Sequence, residues 1–229
     1  MRPHEDSTQA RDPLPRGLLT LSGLWVVASL ALAFGAAPPM LPLASSYAPP
    51  ARLALLGMLA GVVVGWPVLR FSMTRRIAPR RGVLLDLAVI LGVAQIAIWP
   101  LRLLANWSIE RTLALDLLVS GWALLAACAV LLGTRSDRRS AHNWATALLL
   151  AALAAPLLAA PLVFESLEAF LSSPTVGAMQ PWVGLYRLAD PTERPLTESD
   201  WMVAMVPAAA GTAGLIGLLL ALRPLLRRG

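Results

Sequence analysis

Charged residues divide the chain into long apolar stretches, most of which have the length of a membrane-spanning helix. A bilayer core about 30 Å thick requires roughly 20 apolar residues of α-helix. Six stretches approach or meet this length, at residues 18–37, 53–69, 82–101, 112–134, 141–164 and 201–222. The pattern therefore predicts an all-α polytopic membrane protein in which residues 18–224 form a bundle of six transmembrane helices.

The arginines predict which way the six helices face. If the connecting segments are assigned to alternate sides of the bilayer, one side holds 14 of the 19 basic residues. These are Arg2, Arg11, Arg16, Arg70, Arg75, Arg76, Arg80, Arg81, Arg135, Arg138, Arg139, Arg223, Arg227 and Arg228, whereas Arg52, Arg102, Arg111, Arg187 and Arg194 lie on the other side. Because short basic loops stay in the cytoplasm, both termini are predicted to be cytoplasmic, in a bacterial-type plasma (inner) membrane.

The first apolar stretch has a competing interpretation as a cleaved signal peptide, with ALAFGA as the cleavage region. Its apolar run is longer than the usual stretch of about 7–15 residues. We therefore predict a membrane span, preceded by a disordered cytoplasmic tail at residues 1–17 that Pro3, Pro13 and Pro15 interrupt. Residues 225–229 form a basic cytoplasmic end.

The longest connection, residues 165–200, is predicted to be an outer amphipathic loop. Pro181 suits the first position of a helix. Trp182, Leu185 and Tyr186 would then give that helix an apolar face, which is typical of a helix lying in the membrane interface.

Composition agrees with a lipid environment. The 229 residues are 57% hydrophobic and 14% charged, whereas a soluble domain is about 25% charged. The net charge of +6 could suggest nucleic-acid binding, but the arginines lie where membrane topology places them. We therefore expect the lipid bilayer as a partner and no nucleic acid.

Several chemistries are excluded by residue counts. All basic residues are arginine, so the lysine of a P-loop and any Schiff-base chemistry are missing. Cys128 is the single cysteine, which excludes an internal disulfide, and His4 and His142 are the only histidines. No catalytic, cofactor-binding or metal site is predicted, and the chain is not expected to be an enzyme.

Two carboxylates lie within predicted spans, where a charged group is costly and is a functional candidate by default. Asp86 is about one turn from the inner end, near Arg80 and Arg81. Asp116 is about one turn from the outer end, with Arg111 and Arg102 as its candidate neighbours. At opposite depths they cannot form a paired acid–base site. They are expected either to form ion pairs that hold helix ends or to relay protons or cations.

Glycines recur on two predicted spans. Gly57, Gly61 and Gly65 follow each other at four-residue spacing in the second span. A similar small face in the sixth span is formed by Gly211, Gly214 and Gly217. In lipid, small residues allow helices to approach closely. These faces predict packing seams within one bundle, or else a subunit interface or a sliding gate.

Three segments carry a resemblance to a known family: LRFSMTRRIAPRRG at 69–82, FESLEAFLSSPTVGAMQPWVGLYRLAD at 164–190, and a final span ending in LLLALRPLLRRG. The layout resembles the permease subunit of a second-type ATP-binding-cassette exporter. That family has six spans, both ends inside, a cytoplasmic loop after the second span that contacts the ATPase, and short amphipathic helices between spans five and six. The resemblance implies a separate ATPase and a permease dimer, with the ATPase contacting Arg75, Arg76, Arg80 and Arg81.

Three functions remain open on the sequence. The first is an integral subunit of a transport complex, most like an exporter permease without its own ATPase. The second is a structural or assembly subunit of a larger membrane complex, because polar groups are scarce near the middle of the spans. The third is a proton-coupled carrier that uses Asp86 or Asp116.

Overall fold

The computed structural model describes residues 14–41, 43–72, 79–133, 173–190 and 194–221, and all regular secondary structure within these ranges is helical. The predicted all-α class is therefore confirmed. Five helices are long and apolar enough to cross a membrane: Gly17–Ala36, Ser46–Ser72, Gly82–Ala105, Ile109–Gly133 and Glu198–Ala221. The predicted span at 141–164, most of the tail at 1–17 and the end at 225–229 lie outside the described residues.

The helices follow one another in a simple order. They are α1 (Leu14–Ala36), α2 (Ala44–Ala60), a π-helical segment (Gly61–Gly65), α3 (Trp66–Ser72), α4 (Pro79–Ala105), α5 (Ile109–Gly133), α6 (Pro174–Met179), α7 (Pro181–Leu188) and α8 (Glu198–Ala221). The α2 helix, the π-helical segment and α3 together form one long span. This span begins earlier than predicted, because Pro49 and Pro50 fall in its first two turns and remove few of its backbone hydrogen bonds.

A tight turn joins α4 to α5. Asn106 ends α4 in the left-handed region, with φ of 52°. The Trp107 N–H donates to the Arg102 carbonyl (3.1 Å), and the Ser108 hydroxyl caps α5 by accepting from the Arg111 N–H (3.2 Å). The two helices are therefore antiparallel neighbours. We call this end of the bundle the Trp107 end and the opposite end the Arg70 end.

The α5 helix lies at the centre of the described bundle and α1 lies at its edge. Of the most apolar 18-residue stretch of α5, 56% is buried, whereas the corresponding value for α1 is 11%. The α5 helix packs most extensively on α8 and also contacts α3, α4 and α7, whereas α1 packs on α2 and α4. One face of α1 is thus not covered by the other described helices.

Candidate functional site

Asp86 forms an ion pair near the Arg70 end. Its Oδ2 lies 3.4 Å from the Arg70 Nε and accepts a hydrogen bond of 3.4 Å from the Trp66 Nε1. Both charged side chains are 10% exposed. Because Arg70 lies in the last turn of α3 and Asp86 lies about two turns into α4, the pair links two consecutive helices. Asp86 therefore has a compensating charge, supplied by a residue that the sequence did not single out as its partner.

Gly82 provides the space for this ion pair. A Cβ atom built on Gly82 would overlap the Arg70 Nη2. The guanidinium therefore lies directly against the backbone of α4, one turn before Asp86. The expected partners Arg80 and Arg81 lie in the same turn, but their side chains are not among those that the structure describes.

Asp116 has a different environment, between α4 and α5. Its Oδ1 accepts hydrogen bonds from the Gln95 Nε2 and from the Ser120 Oγ (3.3 Å). The Gln95 Oε1 in turn accepts from the Trp99 Nε1 at 2.8 Å. Within the described ranges, all hydrogen-bond partners of Asp116 are neutral and it forms no ion pair.

Arg102 and Arg111, which the sequence places near Asp116, are engaged elsewhere. The Arg102 Nε donates to the Trp107 carbonyl at 3.2 Å. The Arg111 guanidinium donates to the carbonyl oxygens of Asp190 and Arg194, the latter at 2.8 Å. Asp116 is consequently a half-buried carboxyl group on a candidate membrane-spanning helix, held by amide and hydroxyl groups.

The loop before α8 docks into the Trp107 end through α6 and α7. Leu185 is fully buried in the main core, Trp182 packs against that core, and Tyr186 is 43% exposed. The predicted amphipathic helix thus exists, and its Leu185 side faces protein. Gly177 and Gly184 let α6 and α7 touch, since a Cβ on Gly184 would overlap the Gly177 carbonyl oxygen.

Arg52 of α2 contacts α7 and the residues that follow it. The Arg52 Nε donates to the Ala189 carbonyl at 3.1 Å, and its Nη2 lies 3.8 Å from the Asp190 carboxylate. The Arg52 guanidinium also lies 4.2 Å from the centre of the Tyr186 ring, in cation–π contact. A long-range set of contacts therefore joins the second span to the loop that follows Leu188.

A second ionic cluster fastens the loop to α8. Asp200 is 0% exposed and lies 2.7 Å from the Arg187 Nε and 3.6 Å from the Arg194 Nη2. Its Oδ2 accepts from the Thr197 N–H at 3.0 Å, which caps α8. Sequence reasoning used these arginines only as topology signals. The aspartates at 190 and 200, on either side of Arg194, were the available signal that they pair.

The predicted glycine face of the second span contacts α1 at two of its three positions. A Cβ on Gly57 would lie 2.9 Å from the Ser29 Oγ, and one on Gly61 would overlap the Trp25 indole. The Trp25 Nε1 donates to the Gly57 carbonyl at 2.9 Å. Gly65 is the last residue of the π-helical segment, and a Cβ there would meet nothing nearer than the Ala60 carbonyl at 3.9 Å.

The predicted glycine face of the last span is tight at Gly211 and loosens along the helix. A Cβ on Gly211 would lie 2.7 Å from the Leu124 Cβ, one on Gly214 would lie 3.3 Å from the Cys128 Sγ, and one on Gly217 would meet nothing within 4 Å. The closest approach involves Gly121 of α5, which the sequence did not single out. A Cβ there would overlap the backbone between Pro207 and Ala208.

Arg75 and Arg76, the other predicted cytoplasmic contact residues, are not among the described residues. Within the described ranges, no group of three or more histidine, cysteine, aspartate and glutamate side chains is placed to hold a metal ion.

Comparison with known proteins leaves the assignment at the level of fold class. No protein-family model matches the chain, and no curated protein or solved structure matches it. The chain is an all-helical protein whose apolar helices are consistent with a multi-pass membrane protein.

Proposed function

We propose that this protein is an integral subunit of a membrane transport complex, most like the permease of an ATP-binding-cassette exporter. It would lie in a bacterial-type plasma membrane with the Arg70 end and both termini in the cytoplasm. The observation that carries the proposal is the pair of short helices α6 and α7, which precede the last span. The α7 helix packs against α2 and α5, and α6 packs against α8. Short helices occupy this place in the family that the sequence resembles.

The energy for transport would come from a separate ATPase, because the chain has no lysine for a P-loop. The ATPase would dock on the loop between the second and third spans, where Arg75, Arg76, Arg80 and Arg81 are concentrated. The ion pair of Arg70 with Asp86 would couple that loop to α3 and α4, since it links the two helices on either side of the loop.

Purification of the tagged full chain from its native membrane tests this proposal. We expect a subunit with ATPase activity to co-purify, and replacement of Arg75, Arg76, Arg80 and Arg81 by serine to remove it. Replacement of Arg223, Arg227 and Arg228 by serine is the matched control, because it changes predicted cytoplasmic arginines at another site. If the unaltered protein brings down no ATPase, the assignment to a structural or assembly subunit becomes the better one.

Cysteine labelling in intact cells tests the orientation and the predicted span at 141–164 together. In a Cys128→Ser background, Ser136→Cys should react with membrane-impermeant maleimide only after the cells are opened. Thr192→Cys should react in intact cells, because one crossing would separate the two positions. Labelling of both positions from one side would contradict the six-span topology.

A proton-coupled carrier is a second candidate, and the environment of Asp116 favours it. Among the described residues, Gln95 and Ser120 contact this carboxyl group and no cation pairs with it, and carboxyl groups within spans mark ion and proton pathways. If the chain is such a carrier, Asp116→Asn should abolish transport driven by a proton gradient in reconstituted vesicles. Asp86→Asn is the control for the loss of a carboxylate that forms an ion pair, and unchanged transport in Asp116→Asn would contradict this candidate.

A further inference from the structure

A cavity of about 260 Å³ lies between α1, the π-helical segment, α3 and α4. Among its lining residues, all of them described, Ser22 contributes the one hydroxyl group. The two lining indoles are already engaged, since the Trp25 Nε1 donates to the Gly57 carbonyl and the Trp66 Nε1 to Asp86. The remaining walls are aliphatic side chains and glycine, so the cavity selects for hydrocarbon.

The dimensions of the cavity match one leaflet of a bilayer. Its lining runs from Leu18 to Val26 on α1 and from Met58 to Leu69 on the second span. At about 1.5 Å per residue these stretches are roughly 12–16 Å long. That is about half of a hydrocarbon core of ~30 Å. The cavity therefore extends from the Arg70 end to about the middle of the membrane.

The volume of the cavity further limits which molecule could occupy it. An apolar cavity of about 150 Å³ stays dry and binds benzene, whereas drug-sized ligands occupy roughly 300–1,000 Å³. A volume between these limits accommodates part of one hydrocarbon chain and excludes a whole lipid. In a bilayer, the hydrocarbon that surrounds α1 at the highest concentration is the acyl chain of phospholipid.

The local backbone keeps this space open. The Trp66 N–H donates to the Gly61 carbonyl five residues earlier, which is the π-helical bond. Such turns are rare and are frequently found at functional sites. Gly65, at the end of this turn, presents no side chain to the cavity, and α1 does not fill the gap. Trp25 forms the opposite wall and is held by its hydrogen bond across Gly61.

The described charged residues that lie near the cavity are all at one of its two ends. Leu69 and Trp66 line the end next to the ion pair of Arg70 with Asp86, and Met58 and Ala94 line the apolar end. A phospholipid can therefore insert one tail while its headgroup stays at the charged interface. From these observations we infer that the cavity binds one acyl chain of a phospholipid from the leaflet at the Arg70 end. The inference does not depend on the proposed function.

Substitution of Gly65 by a residue whose side chain fills the cavity tests the inference. The full chain is reconstituted in phosphatidylglycerol and phosphatidylcholine vesicles that contain a phospholipid with a diazirine on one acyl chain. After photolysis, we expect one intact phospholipid adduct per chain, on peptides that line the cavity. Gly65→Leu should lower the yield about tenfold, because its side chain displaces a few buried methylene groups. Gly65→Ala should give an intermediate loss.

Gly92→Leu is the matched control, because Gly92 also lies in a membrane-spanning helix with nothing within 4 Å of its built Cβ and does not line the cavity. Its adduct yield should equal that of the unaltered protein. An equal yield in all variants, or an equal loss with Gly65→Leu and Gly92→Leu, would overturn the inference. Thermal unfolding of each variant in detergent separates loss of binding from loss of folding.

A second probe distinguishes the lipid from another part of this chain. We expect p-benzoylphenylalanine in place of Leu21, which lines the cavity, to form photoadducts with phospholipid. An adduct with a peptide from residues 134–172 would show that this segment covers the cavity, and the inference would be wrong.

Discussion

Two glycine-lined seams between long helices, α5 with α8 and α1 with α2, are built in different ways. Between α5 and α8, glycine meets atoms that the backbone fixes in place. A Cβ on Gly121 would contact the backbone at Pro207 and Ala208, and one on Gly211 would contact the Gly121 carbonyl and the Leu124 Cβ. Between α1 and α2, backbone meets side chain, because Gly57 and Gly61 receive Ser29 and Trp25. A backbone cannot withdraw from a new methyl group, whereas a side chain can rotate away. The first seam should therefore be rigid and the second adjustable.

The largest effect is expected at Gly121. In Gly121→Ala the added methyl group would lie 2.6 Å from the Pro207 carbonyl carbon and 2.8 Å from the Ala208 Cα. Relief requires α8 to move, so we expect a loss of about 3 kcal/mol in the free energy of unfolding. Thermal unfolding in detergent measures this loss. A variant as stable as the unaltered protein would show that α5 and α8 are not in close contact.

Gly211→Ala should have the second largest effect. Its methyl group would lie 2.8 Å from the Gly121 carbonyl oxygen and 2.7 Å from the Leu124 Cβ. The backbone of α5 fixes both atoms, but the overlaps are smaller than those at Gly121, so we expect a loss of about 2 kcal/mol. The measurement is again unfolding in detergent. A loss larger than that of Gly121→Ala would reverse the expected order within the seam.

Gly61→Ala tests the adjustable seam. The methyl group would displace the Trp25 indole, which is 47% exposed and has space to move. The expected cost is about 1 kcal/mol, the net worth of the hydrogen bond to the Gly57 carbonyl. Trp25→Phe removes the same bond without the methyl group and should cost about the same. A much larger loss in Gly61→Ala would mean that α1 is held rigidly.

Gly217→Ala should have the smallest effect and the opposite sign. A Cβ at this position meets nothing within 4 Å, and alanine is a better helix former than glycine by up to about 1 kcal/mol. Stability should therefore stay equal or rise slightly. A clear loss of stability in the purified chain would indicate that Gly217 contacts a second copy, as a subunit interface would require.

The two carboxylates, like the two seams, look alike in the sequence and have different contacts in the structure. Asp86 and Asp116 were equivalent candidates on the sequence, each about one turn from a helix end. In the structure Asp86 contacts Arg70 and Trp66, whereas Asp116 contacts Gln95 and Ser120. Spacing along one helix cannot identify these partners, because each belongs to a contact that depends on how neighbouring helices pack.

The sequence by itself determined the helical class and the positions of five apolar helices. Apolar length and the exclusion of charge from lipid act locally along the chain, so they can be read without knowing the neighbours. The glycine spacing likewise indicated close packing on the second and last spans, and Pro181 indicated the start of α7.

Tertiary structure alone decided what those features contact. The π-helical turn changed the role of Gly65 from packing to lining a cavity, and Gly121 became the closest point of α5 because it meets the backbone at Pro207 and Ala208. The loop arginines became ion-pair partners of Asp190 and Asp200. These outcomes depend on contacts between residues far apart in the chain, which are set by the mutual fit of whole helices and not by the spacing within any one of them.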